Sequence, residues 1–278
     1  MPHRTEGKPR EMAETEITQD ARPVSTTRKI LGWCVHAFTA SGLAIAAVIL
    51  YLLVRGGPDA FRWSFLLMIL ATIVDAVDGT FARAVRIKEA VPNFDGRRLD
   101  DITDFITYTF LPLMLVWRAE LIPAGYEAWL IAPLLASAYG FCQVDIKTPD
   151  GYFLGFPSLW NVVALYLYAL PIPPWPALYI LLFLAFLTFV PVKHLYPSMP
   201  GRLNRFATNT GALWGLLAFA LVGSLPTDAA PEFTSTQRVL AYVSLIYPIF
   251  YMVTSWYITL KAWLKPARPA EEVASAVG

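Results

Sequence analysis

Long apolar stretches, broken by short polar or proline-rich connections, fill the chain from residue 31 onward, and this pattern predicts an all-α, polytopic membrane helical bundle. A hydrocarbon core about 30 Å thick takes roughly 20 apolar residues per helix. Stretches near that length cover residues 31–54, 61–81, 101–117, 128–144, 157–171, 174–191, 208–224 and 238–260, so about eight transmembrane helices are expected. Pro and Gly mark the connections, at Gly56-Gly57-Pro58, from Pro171 to Pro176, from Pro197 to Gly201, and at Pro226 and Pro231, as they do where helices stop and turn. The fifth and sixth stretches lie only a few residues apart, which predicts a tight hairpin.

Lys and Arg orient the bundle. With the N-terminus inside, 18 of the 22 fall in the terminal segments and the inner loops, leaving Arg55, Arg62, Arg118 and Arg238 at the outer boundary. Cytoplasmic loops carry such an excess, so both termini are expected to be cytoplasmic, in keeping with an even number of spans. Residues 1–29 are polar, carry both charge signs and lack an apolar core, and read as a flexible cytoplasmic tail and not as a cleaved signal peptide. The expected plan is that tail, a membrane domain over residues 30–264 and a short cytoplasmic tail over 265–278.

Composition sharpens this picture. With 56% hydrophobic and 15% charged residues, no large soluble domain fits between the apolar stretches. The net charge of +1 argues nothing about nucleic acid, because the positive residues lie at membrane boundaries and form no basic face, and no nucleic-acid partner is expected. Cys34 and Cys142 sit in apolar runs without CxxC or metal spacing and are expected to be buried small hydrophobes.

Carboxylates are costly inside apolar helices, so the informative feature is the placement of Asp75, Asp78, Asp100, Asp101 and Asp104 at two helix ends. Asp75, Asp78, Gly79 and Ala82 share one face of the second stretch, and Asp100 and Asp104 share one face of the third. From a start near residue 61, Asp75 lies roughly 21 Å along a helix that crosses about 30 Å, close to the inner surface. The third stretch begins at that surface and runs back, so its first-turn carboxylates can face those of the second. Four converging carboxylates repel unless neutralised, and two divalent cations with hard oxygen ligands, Mg²⁺ or Mn²⁺, supply the matching charge. Gly79 and Ala82 lack bulk where this face meets the site, and Arg83 adds a cation for phosphate oxygens, so the set describes a pyrophosphate site.

The segment Asp75-Ala-Val-Asp78-Gly79-Thr-Phe-Ala82-Arg83, followed by Gly96-Arg-Arg-Leu-Asp100-Asp-Ile-Thr-Asp104, resembles the signature of the CDP-alcohol phosphotransferase family, with all eight fixed residues present. The 12 residues between Arg83 and Gly96 exceed the usual spacing, so a longer cytoplasmic loop is expected. The resemblance implies metal ligands at Asp75, Asp78, Asp100 and Asp104, with Asp104 also the general base, and contacts to the CDP diphosphate from Gly79, Ala82, Arg83 and Gly96. Three further stretches look like those of the bacterial branch that joins CDP-diacylglycerol to free choline: His36-Ala-Phe-Thr-Ala-Ser-Gly42, Val91-Pro-Asn-Phe-Asp-Gly-Arg-Arg-Leu-Asp-Asp101, and the run from Lys147 to Asn161. The implied partners are CDP-diacylglycerol, choline and membrane lipids, with a homodimer among the expectations, and the implied location is the bacterial inner membrane.

Choline is a quaternary ammonium, held by aromatic faces through cation–π attraction. Residues 152–168 carry Tyr152, Phe153, Phe156, Trp160, Tyr166 and Tyr168, and Tyr152, Phe153 and Trp160 are the candidate choline contacts. The same rings also suit an interfacial belt and helix packing. His36 reads first as a packed side chain, and Lys193, Arg202 and Arg205 as inner-surface charges within reach of diphosphate or headgroups. Serine, inositol or glycerol 3-phosphate are the alternative acceptors. A cation-coupled transporter is the alternative of a different class, and it predicts acids near mid-bilayer and broken helices.

Overall fold

The computed structural model describes residues 25–144, 146, 148, 150–195 and 202–264, with Arg202 known only in its backbone. The expected tails therefore lie outside the described residues apart from 25–29, as do Lys147 and residues 196–201. Helix α1 (Thr26–Arg55) buries Val35, Thr39, Gly42, Ala46, Ile49 and Leu53, positions three or four apart that form one stripe. Against it packs α2 (Pro58–Val85), reached through Gly56 and Gly57 at φ 70° and 94°, a left-handed pair that reverses the chain in two residues. Pro58 at the first helical position has no N–H to leave unpaired.

Helix α2 ends where Arg86 turns left-handed at φ 49° and donates its N–H to the Ala82 and Arg83 carbonyls. The long loop expected from the sequence is folded, with a short helix α3 (Ile87–Ala90) in its middle. Arg28 at the start of α1 donates to the Val85 carbonyl at 2.9 Å and to Glu89 at 2.9 Å, holding this loop against α1. The chain then returns as α4 (Gly96–Asp104), capped by Asp95, whose carboxylate accepts from the Arg98 N–H. A π-helical segment (Phe105–Phe110) and α5 (Leu111–Arg118) continue it without a break, the Leu111 N–H bonding back five residues to the Ile106 carbonyl.

The remainder consists of a 3₁₀ turn (Glu127–Leu130) leading into α6 (Ile131–Cys142), then β1 (Tyr152–Leu154), α7 (Trp160–Ala169), α8 (Pro174–Leu187), β2 (Lys193–Leu195), α9 (Arg202–Ser224) and α10 (Ser235–Trp263). Core residues such as Ile49, Leu53, Phe65, Leu115, Val116, Leu181 and Leu221 pack between the helices. Large apolar residues including Tyr51, Leu135, Phe183 and Leu216 face outward, the inverse of a soluble surface and suited to lipid.

Among the described residues, four helices are long and apolar enough to cross a membrane: α1, α2, α9 over Leu203–Ser224, and α10. Of the other expected stretches, 101–117 lies in the unbroken rod of α4, the π-helical segment and α5, and the rest contain shorter helices. Helix α7 has 10 residues, about 15 Å of rise, against the span expected over 157–171. Three further details differ from expectation. The fold is not purely helical, because β1 and β2 pair antiparallel with Phe153 opposite His194. Helix α8 packs on α6 and not on its neighbour α7, because extended backbone at Leu170 and Pro173 carries the chain away before α8 begins. Cys34 and Cys142 are exposed on the bundle surface and not buried in it; in an apolar surrounding an outward cysteine carries no desolvation penalty.

Candidate active site

Asp75 and Asp78 stand 17 and 20 residues after the start of α2, about 26 and 30 Å along its axis, near the end of that helix where the loop to α4 begins. Asp100 comes from the first half of α4, which packs on α1 at the same level. Oxygens of Asp75, Asp78 and Asp100 all lie within 4.8 Å of one another. Asp104, one turn further along, lines the same cleft together with Thr39, Gly42, Thr103 and Thr107. Asp78 is 6% exposed, so its charge is held largely out of solvent.

Two hydroxyls meet the α2 carboxylates. Thr39 on α1 donates to Asp78 Oδ2 at 2.7 Å, and Tyr108 in the π-helical segment donates to Asp75 Oδ2 at 2.8 Å. Sequence reasoning singled out neither. A signal existed for Tyr108, which continues the four-residue spacing of Asp100 and Asp104.

The close fit of the cleft depends on missing side chains. A Cβ on Gly42 would stand 2.6 Å from Thr103 Cγ2, so α1 and α4 approach as closely as they do only with glycine there. A Cβ on Gly96 would meet the His36 ring at 2.5 Å. His36 is accordingly a packed strut between Trp33 and Phe94, with ring centroids 5.9 and 4.4 Å away. Gly79 differs: a Cβ there would meet only the Arg83 guanidinium, at 3.4 Å. With half-buried Ala82 and exposed Arg83, it leaves a bare strip of α2 leading from the carboxylates toward the helix end. Arg83 donates to Thr80 Oγ1 at 3.1 Å and is otherwise directed outward from the bundle.

The aromatic candidates are not gathered at this cleft. Trp160 is 1% exposed, its indole N–H donates to Ser137 Oγ at 2.6 Å, and Phe156 packs edge-on at 4.9 Å, so no face remains for a ligand. Tyr166 accepts from the Trp214 indole and donates to Ser244, tying α7 to α9 and α10. Tyr168 packs with Phe61, Phe65 and Phe233 toward the opposite end of α2 from Asp75. Tyr152 and Phe153 are half-buried on β1, and Lys193 Nζ sits 5.2 Å from the centre of the Tyr152 ring while pairing with Asp150. The Asp150 carboxyl is held below its usual range by that lysine. Gly155 closes the β1 segment, at φ 79° and with the Thr188 carbonyl 2.4 Å from where a Cβ would stand.

Three carboxylates at this separation fit a divalent cation. Opposite oxygens around an octahedral Mg²⁺ stand about 4.2 Å apart, so small carboxylate rotations close the set on one ion, and Asp104 extends it. Long apolar helices with an acidic cleft at one end of α2 define an integral membrane protein with a clustered carboxylate site. The chain belongs to the CDP-alcohol phosphatidyltransferase family, whose profile matches residues 35–191. It is 38% identical to a phosphatidylcholine synthase of Pseudomonas aeruginosa over 201 residues, 72% of this chain and 83% of that protein. A phosphatidylcholine synthase of Borreliella burgdorferi is 34% identical over 80% of this chain and 94% of its own length. One from Legionella pneumophila is 33% identical over 85% and 92%.

Proposed function

We propose that the protein transfers the phosphatidyl group of CDP-diacylglycerol to the hydroxyl of free choline, forming phosphatidylcholine and releasing CMP. The observation that carries this reading is the convergence of Asp75, Asp78 and Asp100 within 4.8 Å, in a chain whose relatives at 33–38% identity are named phosphatidylcholine synthases. Bound Mn²⁺ or Mg²⁺, two ions in this reading, would neutralise the diphosphate oxygens and make CMP a better leaving group. Asp75, Asp78 and Asp100 would hold that charge, with Asp104 joining the ligand set from the same cleft. Gly79 and Ala82 leave backbone bare for the diphosphate to lie against, Arg83 meets its oxygens, and Gly96 lets the first turn of α4 close on α1.

Choline's hydroxyl is a weak nucleophile at neutral pH, and Asp104 accepts its proton as the P–O bond forms. Its place in the cleft but outside the closest trio of oxygens supports this division of labour. For the trimethylammonium we retain Tyr152 and Phe153, whose half-buried rings, unlike that of Trp160, keep exposed area for a ligand. Trp160 serves as a core residue. In the same reading the membrane domain covers residues 30–264 and crosses the inner membrane about eight times, both termini and the cleft facing the cytoplasm; the position of 18 of 22 basic residues supports that orientation. The test is CMP release by purified protein. Turnover with choline that stops with EDTA and returns with Mn²⁺ or Mg²⁺ is expected, and preference for serine, inositol or glycerol 3-phosphate would overturn the acceptor assignment.

A further inference from the structure

Two carboxylates of the cleft, Asp75 and Asp78, come from a single helix three residues apart, yet each is engaged by a donor from a different element. Thr39 reaches Asp78 from α1, and Tyr108 reaches Asp75 from the segment joining α4 to α5. Thr39 is buried, and its hydroxyl stands at 2.7 Å from Oδ2 with the Val35 carbonyl as its other neighbour at 3.4 Å. A hydroxyl that bonded only back to its own helix would satisfy α1; this one is turned across the interface.

Tyr108 is placed by an unusual backbone. Residues Phe105–Phe110 form a π-helical turn inside an otherwise α-helical rod, a rare geometry that persists where its surroundings select it. Thr103 and Thr107 add to the distortion by donating to the carbonyls four residues back, at 2.9 and 3.0 Å. The widened turn lies between Asp104, which lines the cleft, and α5, which packs in the core; from this turn Thr107 lines the cleft and Tyr108 reaches the Asp75 carboxylate.

We infer that Thr39 and Tyr108 are positioning residues for the metal site: each donates to one oxygen of an α2 carboxylate, fixes the carboxylate plane, and so pre-sets Asp78 and Asp75 for the cation. The inference rests on the proposed metal-binding reading of the aspartates. Donors behind metal ligands fix ligand orientation, and losing one typically lowers metal affinity by about 10- to 100-fold. The two donors also tie the metal site to α1 and to the π-helical turn.

The test uses the full-length protein in detergent with Mn²⁺ alone, its free concentration followed by electron paramagnetic resonance, together with the unfolding temperature with and without Mn²⁺. Tyr108→Phe and Thr39→Val keep the shapes and remove the hydroxyls. Each is expected to weaken Mn²⁺ binding about 10-fold or more and to shrink the Mn²⁺-induced stabilisation, while Thr39→Ser restores both. A purely structural role would lower the metal-free unfolding temperature and leave Mn²⁺ affinity unchanged, and that result overturns the proposal. Asp75→Ala separates the two layers of the argument. If it loses Mn²⁺ binding while both hydroxyl variants bind like wild type, the positioning role is wrong and the metal reading stands; if it binds like wild type, both fall.

Discussion

Replacing Gly42 by Ala tests whether the cleft depends on the close approach of α1 and α4. The added Cβ would stand 2.6 Å from Thr103 Cγ2, where ordinary contact begins at 3.4 Å, so one helix must give way by about 0.8 Å. Thr103 has little room to rotate, being buried and donating to the Leu99 carbonyl. Overpacking of this kind typically costs about 1–3 kcal/mol. The catalytic penalty is expected to be larger, because α1 carries Thr39 and α4 carries Asp100 and Asp104, and displacements near 1 Å are worth about 10²-fold in rate. CMP release should therefore fall about 100-fold in Gly42→Ala. The double variant Gly42→Ala/Thr103→Ser removes the opposing methyl and keeps the hydroxyl, and should recover most of the activity and of the unfolding temperature. Near-wild-type turnover in Gly42→Ala, or a double variant no better than the single, would refute the argument.

Asp75→Ala, Asp78→Ala and Asp100→Ala should each abolish CMP release and Mn²⁺ binding. Asp104→Asn should slow turnover by about 10²- to 10⁴-fold with little change in CDP-diacylglycerol affinity, which separates a base from a structural carboxylate. Trp160→Ala should lower stability by about 3–5 kcal/mol with no change in choline dependence, whereas Tyr152→Ala should raise the choline requirement roughly 10-fold. His194 in β2 is fully buried, and burial pulls its pKa down from 6.5 to about 4. With the folded pKa below the unfolded one, the stabilisation is present above about pH 6.5 and lost as the pH falls toward 4. The unfolding temperature should drop across that window, and His194→Gln should flatten the dependence.

The carboxylate cleft was legible because intramembrane acids at helical spacing carry a cost that demands a reason, and helix arithmetic put Asp75 and Asp100 at one end of the bundle. What escaped depends on register that composition does not encode. Tyr108 reaches Asp75 from a π-helical turn, and a run such as Phe105–Phe110 gives no sign that it will widen. Thr39 sits in an apolar run where a hydroxyl usually bonds its own helix, so its turn toward Asp78 becomes visible only once α1 and α2 are packed. The aromatic segment is ambiguous for the opposite reason: rings suited to a cation are equally suited to a core, and Trp160 and Tyr166 satisfy their polar atoms on Ser137 and Ser244. Hydropathy located a helix in each expected stretch but not its length, since short helices such as α7 and the β1–β2 pair are set by turns at Gly155 and by the prolines before α8.

In the proposed reading the aspartate cleft carries metal-dependent transfer of a phosphatidyl group to choline. The most direct measurement is CMP release by the purified protein with CDP-diacylglycerol and, in separate reactions, choline, serine, inositol and glycerol 3-phosphate, each with Mn²⁺ and with EDTA. Release with choline and Mn²⁺ alone, lost in Asp100→Ala, is the predicted result; turnover that survives EDTA, or that is faster with serine than with choline, would contradict it.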